Sequence, residues 1–272
     1  MPRPSALPDA ELPAAETVNL AWLRRALSQR PLLVAYQPIV RLTDDSVFGH
    51  EALARMRTLH GTVLAAGAFL GAATASGEEP RIDAEITAQV MARATRGPDG
   101  ATIHGKLFMN CSSAFLADVD CIDGLVQRHV DWAKARSPGA QQDTPWVVEI
   151  TERNLDADPR RLAAGLSRLA ECGFQFALDD FGSNHSAIPY LLNLPLHYLK
   201  FDLGLVAAAA IDPRARRTLG HLQNLAADLG LTTVAEGVED LSTVHCLRDL
   251  GIDLGQGYWW AQPGPGFAPK QR

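Results

Sequence analysis

The sequence contains no Cys-x-x-Cys pair, and its four cysteines (Cys111, Cys121, Cys172 and Cys246) are scattered through 272 residues. A chain of this size does not depend on disulfide staples, so free thiols in a reducing compartment are expected. Long apolar runs are missing too: none approaches the ~18 to 20 residues of a membrane span. The opening MPRPSALPDAELPAAE has no apolar stretch of the kind that secretory signals carry, so a cytoplasmic location is expected. Basic residues are not in excess. A formal net charge of −6 argues against a non-specific grip on DNA or an anionic membrane. It leaves room for a small anionic ligand in a cleft where cations and local basic groups reverse the sign. No Ser-His or Cys-His pairing stands out. Of the eight histidines only His185, in the loop after Asp180, falls near a strand end of interest. His50 neighbours Glu51 but points to the opposite strand face, and His50, His197, His221 and His245 are read as structural.

What remains is an ordinary apolar fraction of 47% and strand-like runs alternating with helical patterns. The length fits one large α/β barrel or two small domains, and no sign of a second folded unit is found. Residues 1–17 read as a flexible lead, PGPGFAPKQR closes the chain as a similar tail, and the folded barrel is placed at 18–266 with 267–272 beyond it. LLVAYQPIVRL and SVFGHEALARMR follow each other across TDD, which predicts an antiparallel hairpin. KLFMNCS, WVVEIT, FQFALDD, LHYLKFD, TTVAEGV and GIDLGQGY bring the strand candidates to eight. AAGAFLGAATAS and RIDAEITAQVMARATR are predicted helices. PRRLAAGLSRLAECG is a third, closed by Gly173, and AIDPRARRTLGHLQNLAADLG a fourth, closed by Gly230. The expected fold is a (β/α)8 TIM-like barrel whose first strand runs antiparallel.

Six acidic or amide side chains follow or end these apolar runs: Glu51, Asn110, Glu149, Asp179, Asp180 and Glu236. Singly, each reads as a turn residue or helix cap. On neighbouring strands, their ends crowd negative charge that cannot stay ionised without cations, so the set predicts a divalent-metal site. All-oxygen ligands favour Mg²⁺ or Mn²⁺. Adjacent residues of a strand point to opposite faces, so Asp179 and Asp180 share a centre only if the chain bends, which Gly182 permits. The competing reading is an Asp-Asp turn with Asp180 as a helix cap. Lys200 and Asp202 share one strand face, where the lysine either holds a water or phosphate oxygen or balances charge. Gln256 adds a neutral hydrogen-bonding group to the rim, and Arg55 shares the face of Glu51.

Taken in order, these segments resemble the EAL-domain cyclic diguanylate phosphodiesterases over about Leu20 to Pro265. The motifs are YQPIV at Tyr36 to Val40, Glu51-Ala52-Leu53, MNCS, Glu149-Ile150-Thr151-Glu152, Asp179 to Gly182, Lys200 to Asp202, Glu236 to Glu239, and Gln256 to Tyr258. The resemblance implies hydrolysis of one phosphodiester of cyclic di-GMP to linear pGpG, with two Mg²⁺ or Mn²⁺ ions. It assigns Glu51, Asn110, Glu149 and Asp179 to one cation, and Asp179, Asp180 and Glu236 to the other. Catalytic roles fall on Glu51, on Lys200 beside the attacking water, on Glu236 as proton acceptor and on Gln256 near the metals. Gln37, Arg55, Asp202 and Pro263 help place the substrate, and Glu152 anchors the loop after the paired aspartates. A homodimer is implied, and a regulatory partner in trans is considered. Where the family reads DFG-(T/A)-GYSS, this chain reads Asp180-Phe181-Gly182-Ser183-Asn184-His185-Ser186-Ala187. The alternative is therefore a weak or inactive cyclic di-GMP receptor that acts through a partner. Trp259 and Trp260 either pack beside a base or fill the barrel rim.

Overall fold

The computed structural model describes residues 20–28, 32–58, 60–95, 105–135, 144–151, 159–183 and 188–267. A short helix α1 (Leu20–Ser28) leads into the hairpin β1 (Leu32–Arg41) and β2 (Val47–Arg57), followed by a brief strand β3 (Val63–Ala65). Then come α2 (Leu70–Ser76), α3 (Glu79–Thr95), β4 (Lys106–Asn110), α4 (Ser113–Leu116), α5 (Val119–Lys134), β5 (Trp146–Thr151) and α6 (Pro159–Glu171). The second half runs β6 (Gln175–Phe181), α7 (Ile188–Asn193), β7 (Tyr198–Phe201), α8 (Leu203–Ile211), α9 (Pro213–Asp228), β8 (Thr232–Ala235), α10 (Leu241–Asp249) and β9 (Leu254–Gly255).

Pairing runs β1-β9-β8-β7-β6-β5-β4-β2, and β1 also pairs with β2, so eight strands close into a ring. β1 is antiparallel to both of its neighbours, and the other contacts around the ring are parallel. The (β/α)8 barrel with a reversed first strand is the predicted architecture. The hairpin turns where expected: Asp45 takes φ 56° and the Asp44 carboxylate accepts the Ser46 N–H at 3.0 Å. Asp45 also receives Arg248 at 3.0 Å and the Trp260 indole N–H at 2.9 Å, which ties the turn to the last segment of the chain. Trp260 lies against Leu42 and Gly255, so it fills the barrel wall.

The barrel interior is plugged by Ile39, Phe108, Val147, Ala177, Tyr198, Val234 and Leu254. Larger apolar layers fill the space between the strands and the surrounding helices. His197 belongs to this scaffold, its Nδ1 accepting the Phe176 N–H at 3.3 Å.

Three predictions need correction. β3 was not expected; Val63 to Ala65 pair antiparallel with Arg57 to Arg55 ahead of the helix predicted from Ala65. The helix predicted from Ala210 onward is two helices, because Asp212 leaves the helical region (φ −111°, ψ 120°) and caps α9 by accepting the Arg214 N–H at 2.8 Å. Pro213 then occupies the first turn, where its missing N–H costs nothing. The third concerns PGPGFAPKQR, read as a flexible tail. Its first residues are packed: Gly264 exchanges backbone hydrogen bonds with Tyr36 at 2.7 and 3.0 Å. The Phe267 ring packs tilted against Tyr36 with centroids 4.3 Å apart, lies beneath Arg93, and its carbonyl meets His50 Nε2 at 2.7 Å. Residues 1–17 and 268–272 lie outside the described residues.

Candidate metal centre and active site

The site is a polar layer set one pleat above the apolar plug. On β4 to β7 the plug residues Phe108, Val147, Ala177 and Tyr198 are each followed two positions later by Asn110, Glu149, Asp179 and Lys200. Val234 and Leu254 are likewise followed by Glu236 and Gln256, just past the ends of β8 and β9. Side chains two apart share a face, so this spacing places all six groups toward the same mouth. β1 descends where the others climb, so its polar residue precedes its plug residue: Gln37, then Ile39. Gln37 lies directly across from Glu51 of β2.

Lys200 stands at the centre. Its side chain is 0% exposed, and its Nζ lies 2.7 Å from Glu149 Oε1, 2.7 Å from Glu236 Oε1, 3.0 Å from Asp179 Oδ1 and 3.6 Å from Glu51 Oε2. Burial opposes the ammonium charge, but the four carboxylates outweigh it and push the lysine well above its ordinary range. One ammonium cannot neutralise them all. Burial together with Glu51 and Asp179 pushes Glu149 well up, against the pull of Lys200. Burial and Asp179 raise Glu236 to about 8. Glu51 goes the other way: burial works to raise it, but Lys200 and hydrogen bonds from Gln256 and Asn110 hold it below the usual carboxylate range.

Asp179 and Asp180 reach one centre by a backbone device. Asp180 adopts φ 58° and Gly182 φ 98°, and the β6–β7 register shifts between Leu178 and Phe181. The left-handed residue undoes the strand alternation. Asp179, Asp180 and Glu236 each then offer an oxygen within 4.8 Å of the others. Asn110 gives both amide hydrogens away, to Glu51 Oε1 at 2.8 Å and Glu149 Oε2 at 3.0 Å, which leaves Oδ1 as its ligand atom. This donor set of hard oxygens, with more negative charge than Lys200 balances, fits divalent cations of the Mg²⁺ or Mn²⁺ kind.

The remaining predicted residues divide. Gln256 donates to Glu51 Oε2 at 2.6 Å and to Gln37 Oε1 at 3.0 Å, and Gln37 donates to the Ala261 carbonyl at 3.1 Å. Gln37 is thus engaged within the protein at both ends of its amide. Arg55 is buried two strand repeats beyond Glu51 and donates to the Ala54 carbonyl at 3.1 Å. Asp202 turns aside to cap α8, accepting the Gly204 N–H at 2.9 Å. Pro263 is buried just before the Gly264–Tyr36 pairing. Glu152 and His185 lie outside the described residues.

Two contributors escaped sequence reasoning. The Ala261 carbonyl shows no side-chain signal. Gly257, beside Gln256, packs so tightly that an added Cβ would sit 2.0 Å from the Val238 carbonyl oxygen.

Residues 20–263 match the EAL domain family. The chain belongs to that family. Among curated relatives, this EAL domain is 31% identical over 246 residues to the probable cyclic di-GMP phosphodiesterase PdeG of Escherichia coli, covering 89% of this chain and 46% of PdeG. It therefore spans less than half the length of that relative. Among solved structures it is similar to the PaMucR phosphodiesterase in complex with c-di-GMP (TM-score 0.79, 27% identity, 91% of this chain and 97% of that one). It is also similar to Klebsiella pneumoniae BlrP1 in a calcium/cy-diGMP complex (TM-score 0.73, 28% identity, 89% and 58%). No helix among the described residues of this EAL domain is long and apolar enough to cross a membrane.

Proposed function

We propose that this EAL domain is a metal-dependent phosphodiesterase that hydrolyses one phosphodiester of cyclic di-GMP to linear pGpG. The observation that carries the reading is the polar layer itself, in which four carboxylates meet one fully buried ammonium at 2.7–3.6 Å. The named activity of PdeG and the dinucleotide in the PaMucR and BlrP1 complexes support the same substrate.

Glu51, Asn110, Glu149 and Asp179 would hold one Mg²⁺ or Mn²⁺, and Asp179, Asp180 and Glu236 a second. Bound there, the cations acidify water and neutralise charge on the phosphoryl oxygens. The protein's own groups do the rest. Lys200 Nζ orients the attacking water, and Glu236 Oε1, 2.7 Å away, accepts its proton. Water oxygen bonds to phosphorus, the bond to the 3′ oxygen breaks, and that oxygen leaves as a hydroxyl by taking a proton from solvent while Glu236 holds the proton of the attacking water. Gln256 and Asn110 keep Glu51 ionised and oriented through bonds of 2.6 and 2.8 Å. Arg55 and Pro263 are assigned to substrate placement. Gln37, held by Gln256 and Ala261, is assigned there through the order it imposes on the rim. Exposed Leu192 of α7 and Ile211 of α8 supply apolar surface for a homodimer.

Chromatography of cyclic di-GMP incubated with the protein tests the proposal. Linear product is expected with Mg²⁺ or Mn²⁺ and not with Ca²⁺, whose longer, looser coordination suits this chemistry poorly. Glu51→Ala should abolish turnover. The receptor reading, prompted by the altered loop Ser183 to Ala187, requires nucleotide binding with no product under any of these metals.

A further inference from the structure

A half-buried carboxylate behind the polar layer has no part in the chemistry above. Asp83, in the first turns of α3, sends Oδ2 to the backbone N–H of Ser112 at 2.8 Å. That contact bridges α3 and the turn after β4, and burial raises the carboxyl to about 7 against the opposing hydrogen bonds from Ser112. Asn110, the last residue of β4, leads directly into that turn. Cys111 donates its N–H to the Glu149 carbonyl at 3.1 Å, and Ser112 caps α4 by accepting the Phe115 N–H at 3.2 Å. The link from strand to helix is therefore pinned at two successive N–H groups, one by the neighbouring strand and one by Asp83. Asn110 stands immediately before them, its amide shared between Glu51 and Glu149.

We propose that Asp83 is a positioning residue for the metal centre, fixing the β4–α4 turn so that the Asn110 amide stays locked on Glu51 and Glu149. Without it the half-buried Ser112 N–H loses its acceptor, and the turn shifts to find another. Partners that orient a metal ligand are worth roughly 10- to 100-fold in metal affinity. Asp83 acts from a different element, with no contact to the cation. This inference rests on the metal-dependent reading of the site.

Mn²⁺ titration by calorimetry, with no nucleotide present, separates the two. Asp83→Ala should weaken Mn²⁺ binding by about 10-fold. Asp83→Asn, which keeps an acceptor oxygen, should restore it to within about twofold. In an Asn110→Ala background, Asp83→Ala should have no further effect, because its route to the cation is already gone. Full Mn²⁺ affinity in a folded Asp83→Ala protein overturns the proposal, as does equal weakening with and without Asn110. A native protein that takes up no Mn²⁺ overturns the metal reading instead. Should Asp83→Ala not fold, Asp83→Asn decides alone: a loss as large as 10-fold means that charge, not the acceptor, is what matters, and the positioning role fails.

Discussion

Lys200 shows how much chemistry one side chain carries when its surroundings are fixed. An ammonium alone inside a protein is costly by several kcal/mol, and here four carboxylates offset that cost. Replacing it by methionine of similar length should leave Mn²⁺ bound while turnover falls by about 10²-fold or more, measured as kcat on saturating nucleotide. Glu236 yields a prediction with a definite sign. Its carboxyl is raised from 4.5 to about 8 in the folded protein, so the native state holds that proton more tightly than the unfolded chain does. Its stabilising contribution is complete below about pH 4.5 and is lost as pH rises toward 8, at up to ~1.4 kcal/mol per pH unit. Urea melts of metal-stripped protein should therefore show falling stability from pH 5 to pH 8. Saturating Mn²⁺ should flatten the slope, since a bound cation keeps the carboxylate ionised.

Among the elements, the short connections carry constraints that the strands do not. Gly257→Ala should cost more than ~2 kcal/mol in thermal unfolding, because its Cβ would overlap the Val238 carbonyl. Activity should drop with it, as Gln256 is dragged off Glu51. Asp212→Ala is the matching control: losing the α9 cap costs about 1 kcal/mol and leaves turnover per folded molecule unchanged. The contrast also marks what was readable in the primary structure. Glu149, Asp179 and Lys200 were legible because each follows an apolar run, and strand periodicity alone turns them inward. The break at Asp212 was legible in principle from Asp-Pro, yet the apolar run before it disguised the junction. The bonds from Gln37 to Ala261 and Gln256 were not legible, since they join positions 224 and 219 residues apart with no motif linking them. Asp83 escaped for the same reason: its partner is a backbone N–H, and a backbone N–H leaves no trace in the choice of residue.

At the level of the whole molecule, the ring is assembled from both ends of the chain, and ligand binding should be felt throughout it. Cations that bind only the closed ring stabilise it by mass action, by about 2.7 kcal/mol at 100 times the dissociation constant. Calorimetric scans should accordingly show the melting temperature rising with Mn²⁺ concentration. The increase should vanish in Asp179→Asn, where the shared carboxylate of the proposed pair of ions loses its charge.

The descending course of β1 has a mechanical corollary. An ordinary all-parallel ring starts its chain at the closed floor, far from the chemistry. Here Leu32 starts at the open end, and Gly264 returns to the same edge alongside Tyr36. Five steps of stiff strand, roughly 17 Å at ~3.4 Å each, separate Leu32 from Gln37. Any tug or twist delivered through either flank thus arrives beside the reacting groups without first crossing the barrel.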